Sequence, residues 1–280
     1  MADDKQEYLL PEPEKEIERL TEQDAVIAYL MNNKRILAPI DLKQPGLQIL
    51  DSATADGLFL REIQPLLTEP YTLLGFDIMR SFFPPTAPPH TTFAIHDMAE
   101  PWPVELQGKC DFVHQRFAIP GGVKKATPRE IVRYLAQLVK PGGWIQLGES
   151  DASGPVHGGP AFEDAWTAFR AWLAAAGAGG NYANQMADWL KEEGFENVKE
   201  EHIDISMGPR CKDAQWGARS TQVMITAITA VAGACKMMNA DVPESVLDKL
   251  PERLEEELAE QGGAFRLIVA IGQKPTASGA

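Results

Sequence analysis

The stretch that decides the fold is Leu47-Gln48-Ile49-Leu50-Asp51-Ser52-Ala53-Thr54-Ala55-Asp56-Gly57. Pro45-Gly46 ahead of it announces a turn. A short apolar run ends in the acid Asp51, small residues follow, and a helical pattern runs from near Asp56 through Leu66. The stretch therefore reads as strand, tight turn, helix. Small residues let backbone approach a ligand, and a helix N-terminus offers unpaired N–H groups to a carboxylate. The same residues also suit a purely structural turn.

Working outward, the alternation repeats. Thr72 to Asp77 is a second strand ending in an acid, and Thr91 to His96 is a third, followed by Asp97. Between them the Pro-rich stretch from Pro84 to Pro89 cannot be a regular helix. Asp111 to Phe117 is a fourth strand. Thr127 to Val139 is a helix with Thr127 as cap, Pro128 at its first position and Glu130 at its third. Pro141-Gly142-Gly143 reads as a turn and Trp144 to Glu149 as a fifth strand. Alternating strands and helices predict a parallel sheet covered on both faces.

The second half is different. Pro160 to Ala176 and Asn181 to Glu193 read as helices, and Val198 to Met207 as a strand. Asp213 to Lys236 and Pro243 to Gln261 read as two more helices before a last strand, Ala264 to Ile271. Upstream of everything, Glu14 to Leu37 has helical apolar spacing, with Thr21 and Asp24 as a local cap that could divide it in two. Residues 1–7 and 274–280 are expected to be disordered.

The composition excludes several classes. The chain has 280 residues, 44% hydrophobic and 24% charged, which suits one large α/β domain. Cys110, Cys211 and Cys235 are too few and too scattered for a zinc pattern or a disulfide framework. No metal site and a cytoplasmic location are expected, and Met1 to Glu18 lacks the apolar run of a signal peptide. Val223 to Cys235 is too short and too interrupted to span a bilayer. A formal net charge of -14 repels phosphate backbones, so neither nucleic acid nor a membrane is expected as a partner.

Open parallel sheets bind ligands at the carboxyl ends of their strands. That rule groups Asp51, Asp77, Asp97 and His114-Gln115-Arg116. Asp77, about twenty residues beyond the turn, suits both hydroxyls of a ribose. Asp97 suits an adenine amino group, with Met98 packing on the ring. Asp77 could instead cap a helix, and Asp97 could be a solvated loop acid. The turn is not GxGxxG: Ser52, Ala53 and Ala55 stand where a nicotinamide or flavin needs glycines. No Walker motif and no GxSxG elbow occurs.

These segments in this order resemble class I S-adenosylmethionine-dependent methyltransferases: residues 47–57, Gly75-Phe76-Asp77, His96-Asp97-Met98, residues 111–117 and Pro141-Gly142-Gly143-Trp144-Ile145-Gln146-Leu147-Gly148-Glu149. The branch that resembles this chain most is that of fungal secondary-metabolite clusters, through Glu7-Tyr8-Leu9-Leu10-Pro11 and residues 158–166 as well. The resemblance implies an α/β fold with strand order 3-2-1-4-5-7-6 and an antiparallel last strand. It implies S-adenosyl-L-methionine as cofactor, S-adenosylhomocysteine as product, and a cofactor site of Asp51, Ser52, Ala53, Thr54, Gly57, Asp77, Ile78, Asp97, Met98, Gln115 and Arg116. The family's usual turn after strand one carries more glycines than this one. The domain layout expected is an N-terminal helical lid over residues 1–40, the cofactor domain over 41–273 with helical insertions after strands five and six, and a tail over 274–280.

The reaction implied is attack by an O, N or S nucleophile of a small-molecule natural product on a sulfonium methyl. Much of that catalysis is positioning. His114 and His157 are the candidate bases, ahead of His90, His96 and His202, although a lone histidine is more often a structural residue. Trp166, Phe169 and Tyr29 are the candidate substrate contacts, with Trp102, Trp144 and Trp172 behind them. The alternatives are a cyclase-like catalyst that binds the cofactor without consuming it, or a regulatory protein that keeps the fold. A dehydrogenase is more distant, and a homodimer is left open.

Overall fold

The computed structural model describes residues 13–276. Seven strands form one sheet: β1 Leu47–Ser52, β2 Tyr71–Asp77, β3 Thr91–Ile95, β4 Cys110–Arg116, β5 Val139–Ser150, β6 Glu196–Met207 and β7 Gly263–Gln273. Their order is β3-β2-β1-β4-β5-β7-β6. β1 to β5 run parallel and β7 lies antiparallel between β5 and β6. The expected topology is present.

The helices are α1 Pro13–Leu30, α2 Leu58–Ile63, α3 Ile119–Gly122, α4 Pro128–Leu138, α5 Pro160–Ala176, α6 Met186–Glu192, α7 Ala214–Met238, α8 Glu244–Leu247 and α9 Leu250–Glu260. They divide the core by strand parity, because successive side chains point to opposite faces. Leu47, Ile49 and Phe112 join Phe59, Trp166, Met224 and Leu254 on one face. Leu50, Val113 and Ile145 join Leu135, Leu190 and Trp102 on the other.

Several boundaries differ from the sequence reading, each for a local reason. α1 is one helix: Thr21 Oγ1 donates back to Ile17 O at 2.8 Å inside it, so Thr21 caps nothing. It stops at Leu30, and Asn32 and Asn33 beyond it take φ of 54° and 59°. The expected helix from Pro243 is two pieces, split where Lys249 turns to φ 46° and Pro251 opens α9. The expected turn at residues 141–143 lies inside β5, where Gly142 N donates to Lys274 O and Lys274 N to Gly143 O. Those bonds also place Lys274 in the fold, whereas disorder was expected from there on. Residues 1–12, including the first of the expected disordered tracts, and 277–280 lie outside the described residues.

α4 carries the capping box that its sequence announces, Thr127 with Glu130. α7, at 25 residues, is long and apolar enough to cross a membrane, contrary to the expectation drawn from residues 223–235. It instead buries Met224, Ile225, Ile228 and Cys235 in the packed helical layer with α1, α5 and α9.

Candidate active site

The turn after β1 has the backbone of a glycine-rich loop without the glycines. Ala53, Ala55 and Gly57 take φ of 54°, 50° and 78°. Left-handed backbone at alanine costs about 1–2 kcal/mol, so other contacts must hold the turn in shape. Thr54 N donates to Phe76 O and Ala55 N donates to Asp77 Oδ2, both at 2.9 Å. Met79 N occupies the other Asp77 oxygen at 2.9 Å. With Ile78 N–H also on the carboxylate, about one of its four acceptor directions remains free. Burial raises the Asp77 pKa; the Met79 and Ala55 N–H groups pull it down, nearby Asp51 pushes it up, and the net shift is upward.

Gly57 has a structural reason to be small. A Cβ there would lie 2.5 Å from Phe93 Cζ, and Gly75 beside it would meet the same ring at 2.7 Å. Phe93, on β3, was not singled out in the sequence; two small residues on the neighbouring elements were its only sign. Ile78, at the mouth of the turn, is half-buried.

Asp51 and His114 are register partners on β1 and β4, with Asp51 Oδ1 2.7 Å from His114 Nδ1. Both are buried, and Phe59 stacks on the imidazole at 3.7 Å between centroids. One position further, Ser52 and Gln115 are also register partners, and they face the opposite side of the sheet. Their polar atoms are unusual. Ser52 Oγ, Thr54 Oγ1 and both amide atoms of Gln115 are buried without a hydrogen-bond partner. Buried polar groups are normally satisfied, so four such atoms at the carboxyl ends of β1 and β4 point to a polar ligand there. The donor and acceptor set fits S-adenosylmethionine: hydroxyls and an amide for the polar ends of the molecule, and a carboxylate at the end of β2 for a ribose.

The remaining expected cofactor residues are already engaged. Asp97 accepts from Ala99 N at 3.0 Å and from Lys125 Nζ at 2.7 Å. Met98 packs its methyl towards Gly121 and Gly122. Arg116 donates to Asp24 Oδ1 at 2.6 Å, so it fastens α1 to the end of β4. Arg35 holds the other Asp24 oxygen at 2.7 Å. Burial raises the Asp24 pKa, but the Arg116 and Arg35 guanidiniums outweigh it and hold the carboxyl below its usual value. Gln146 on β5 completes the attachment, accepting from Leu37 N at 2.7 Å and donating to Arg35 O at 2.8 Å.

The expected catalytic and substrate residues are not brought together. His114 is 4% exposed, and strand alternation turns it away from Gln115. His157 is exposed in the loop after β5, where its backbone pairs with Ala264. Trp166 is a core residue, against the expectation of substrate contact: it packs on Phe162, Phe169 and Phe265, and its Nε1 donates to Asp151 O at 3.2 Å. Phe169 is half-buried between Trp166 and Trp172. Tyr29 stacks on Trp216 of α7 at 4.5 Å, in the seam between α1 and α7.

Glu149, at the end of β5, is a residue that sequence reasoning passed over. Its Oε1 accepts from Ala118 N and Ile119 N at 2.9 and 3.0 Å, and its Oε2 accepts from Tyr182 Oη at 2.9 Å. Burial pushes its carboxyl up to about 7, against the opposing pull of those donors. Among the described residues no group of His, Cys, Asp or Glu is arranged to hold a metal ion. A cleft of about 400 Å³ between residues 33–42 and the segment Glu62, Ile63 and Leu66 is lined by none of the unpaired polar residues.

Comparison with known proteins agrees with this architecture. A family profile described as a methyltransferase domain matches residues 15–200. Methyltransferase psoC of Aspergillus fumigatus is 32% identical over 92% of this chain and 94% of its own length. N-methyltransferase sirN of Leptosphaeria maculans is 35% identical over 96% and 95%. N-methyltransferase tcpN of Claviceps purpurea is 31% identical over 93% and 95%. Among solved structures, the [4+2]-cyclase SpnF shares the fold at 16% identity and a TM-score of 0.50, covering 90% of this chain and 81% of that one. The family match, the relatives and the sheet order agree, and this chain belongs to the class I S-adenosylmethionine-dependent methyltransferases.

Proposed function

We propose that the enzyme methylates a nitrogen of a small-molecule natural product. The observation that supports the small-molecule part is the fastening of α1 by Asp24 to Arg116, which sets a helix against the carboxyl end of β4. Nitrogen is favoured over oxygen and sulfur by relatives named N-methyltransferases at 35%, 31%, 31% and 28% identity. A chain of net charge -14 suits a neutral or cationic acceptor, and a cytoplasmic enzyme without nucleic-acid or membrane partners is the simplest setting.

Bound S-adenosylmethionine supplies an already activated methyl group. The protein's own part is to hold and to position. Asp77 offers its free acceptor direction to a ribose hydroxyl while keeping the turn closed through Ala55 N. Ser52, Thr54 and Gln115 supply the unpaired donors and acceptors. α1 is fastened to the end of β4 by Asp24 and joined to the start of α7 by the stack of Tyr29 on Trp216. His114 is turned to the opposite face from Gln115 and His157 lies exposed in the loop after β5, so the acceptor amine, in its neutral form after losing any extra proton to solvent, attacks with its own lone pair and releases its remaining proton to solvent afterwards. Positioning accounts for the rate.

The test is incubation with isotope-labelled donor and a panel of secondary amines, lactams, phenols and thiols, read by mass spectrometry. Gain of one labelled methyl on nitrogen is the expected result. Labelling of phenols or thiols alone would overturn the nitrogen assignment. An unlabelled, isomerised product would place the chain with cyclase-like catalysts.

A further inference from the structure

The two edges of the sheet are built differently. β6, at one edge, is charged along its length by Glu196, Lys199, Glu200, Glu201 and Asp204, and its register shifts between Glu196 and Lys199. Charges and irregularities of this kind keep an edge from pairing with another chain. β3, at the opposite edge, reads Thr91-Thr92-Phe93-Ala94-Ile95. It has no charged residue, no proline and no register shift, and its Thr, Phe and Ile favour strands. In a chain of net charge -14 an unguarded edge of this composition stands out.

The free bonding groups of β3 follow from its ladder. Leu73 N donates to His90 O, and His96 N donates to Asp77 O. Leu73 lies opposite Thr91 and Asp77 opposite Ile95, so alternation commits residues 90, 92, 94 and 96 to β2. Phe93 and Ile95 therefore turn their N–H and C=O groups away from the sheet. Among the described residues no strand lies beyond them. The Ile95 side chain is 54% exposed, and Phe93 is half-buried on the same strand face, against Phe83 at 5.4 Å.

Free groups two residues apart, on either side of a small residue, fit a second copy of the same strand. With a two-fold axis at Ala94, Phe93 of each copy stands opposite Ile95 of the other. Such a pair exchanges both of its N–H···O bonds, so neither residue keeps a free donor. Ala94 meets its counterpart at the close position, where antiparallel Cα atoms approach to about 4.5 Å, and it is the smallest side chain of the strand. Each exposed Ile95 is covered by a Phe93 ring, a favourable cross-strand pair. In this register Asp97 stands opposite Thr91 and His96 opposite Thr92, so no acid faces an acid although both copies are strongly negative.

We propose that β3 joins two copies of this chain edge to edge, antiparallel about Ala94, into one continuous sheet. The contact is isologous and closes on itself. A short strand makes a small interface, so the dimer forms and dissociates with concentration.

Sedimentation of the full chain from nanomolar to high micromolar concentration should show the mass rising from one copy to two. Ile95→Lys places like charges in the interface, and Ile95→Pro removes an N–H that β2 does not use. Both should stay monomeric throughout, with the circular dichroism and melting curve of the dilute unaltered protein. Met237→Lys, at an exposed position on α7, should dimerise normally. Under mild oxidation Ala94→Cys should cross-link two copies, because the axis brings its thiols within disulfide reach, and the unaltered chain should not. If a variant loses the fold, hydrogen exchange on the unaltered protein decides: the Phe93 and Ile95 amides should be protected when concentrated and exchange fast when dilute. A protein that stays monomeric at high micromolar concentration overturns the proposal, as does a dimer that survives both Ile95 substitutions or leaves those two amides unprotected. A dimer lost in both Ile95 variants, without cross-linking of Ala94→Cys, overturns the pairing about Ala94.

Discussion

At the scale of single residues, two sites hold energy that a substitution can release. Glu149 is the first. Its carboxyl stands at about 7 in the fold against an ordinary 4.5. The folded state thus keeps its proton where the unfolded chain has lost it, so the group's effect is to lower stability as pH rises from 4.5 to about 7 and to hold it there above. Glu149→Gln retains an acceptor for Ala118 N and Ile119 N and can donate to Tyr182 Oη. It should match the unaltered protein near the bottom of that window and exceed it by on the order of 3 kcal/mol above the window. Urea melts across the range check this; a constant difference between the two proteins at all pH values would show that the carboxyl does not titrate there. The second site is the turn. Ala55→Gly removes left-handed strain of about 1–2 kcal/mol and adds unfolded-state freedom of about 0.4–1 kcal/mol. The net should lie between neutral and about 1.6 kcal/mol stabilising, with cofactor binding intact. Destabilisation would mean the alanine methyl has packing of its own.

Among the elements, α1 depends on one carboxylate. Asp24 joins Arg35, on the chain leaving α1, to Arg116 on β4. Asp24→Ala leaves the largely buried Arg116 without its carboxylate and Arg35 with Glu62 alone, which should cost on the order of 3 kcal/mol. Limited proteolysis should then cut between α1 and β1 faster than in the unaltered protein, and the acceptor's KM should rise. Unchanged cleavage and kinetics would refute this role of Asp24. This substitution is a sharper probe than removing residues 1–37, because truncation also takes Ile27, Met31 and Ile36 out of the core. The sequence held a sign of Asp24 that went unread: Ile17, Leu20, Asp24, Ile27 and Met31 recur at alternating steps of three and four, so an acid occupies a core position. Strands and the capped α4 were legible because short-range periodicity and turn chemistry determine them, whereas the sheet order came from the resemblance to the family. The attachments of Asp24, Gln146 and Glu149 were not, since each joins residues far apart in the chain. The candidate site was half legible for the same reason. The turn, Asp77 and Gln115 sit at strand ends that periodicity locates, whereas Trp166 reads identically as pocket or core until Phe265 is placed against it.

For the whole molecule, the deciding quantity is charge. The net value is -14, and three cations near the site are already spent on neighbouring acids: Lys125 on Asp97 and Glu100, Arg35 and Arg116 on Asp24. A negative field concentrates cations and repels anions over roughly a Debye length, about 8 Å at physiological ionic strength. An acceptor with a protonated amine should therefore be captured more efficiently at low salt, its kcat/KM falling as salt is added. A neutral acceptor should show a flat response. Polyanions such as transfer RNA should neither bind nor inhibit at any salt concentration. Measuring kcat/KM for one cationic and one neutral acceptor across a salt series, with and without RNA, separates these outcomes. Competitive inhibition by the polyanion, relieved by salt, would mean that a basic surface outweighs the net charge, and the small-molecule reading would fall with it.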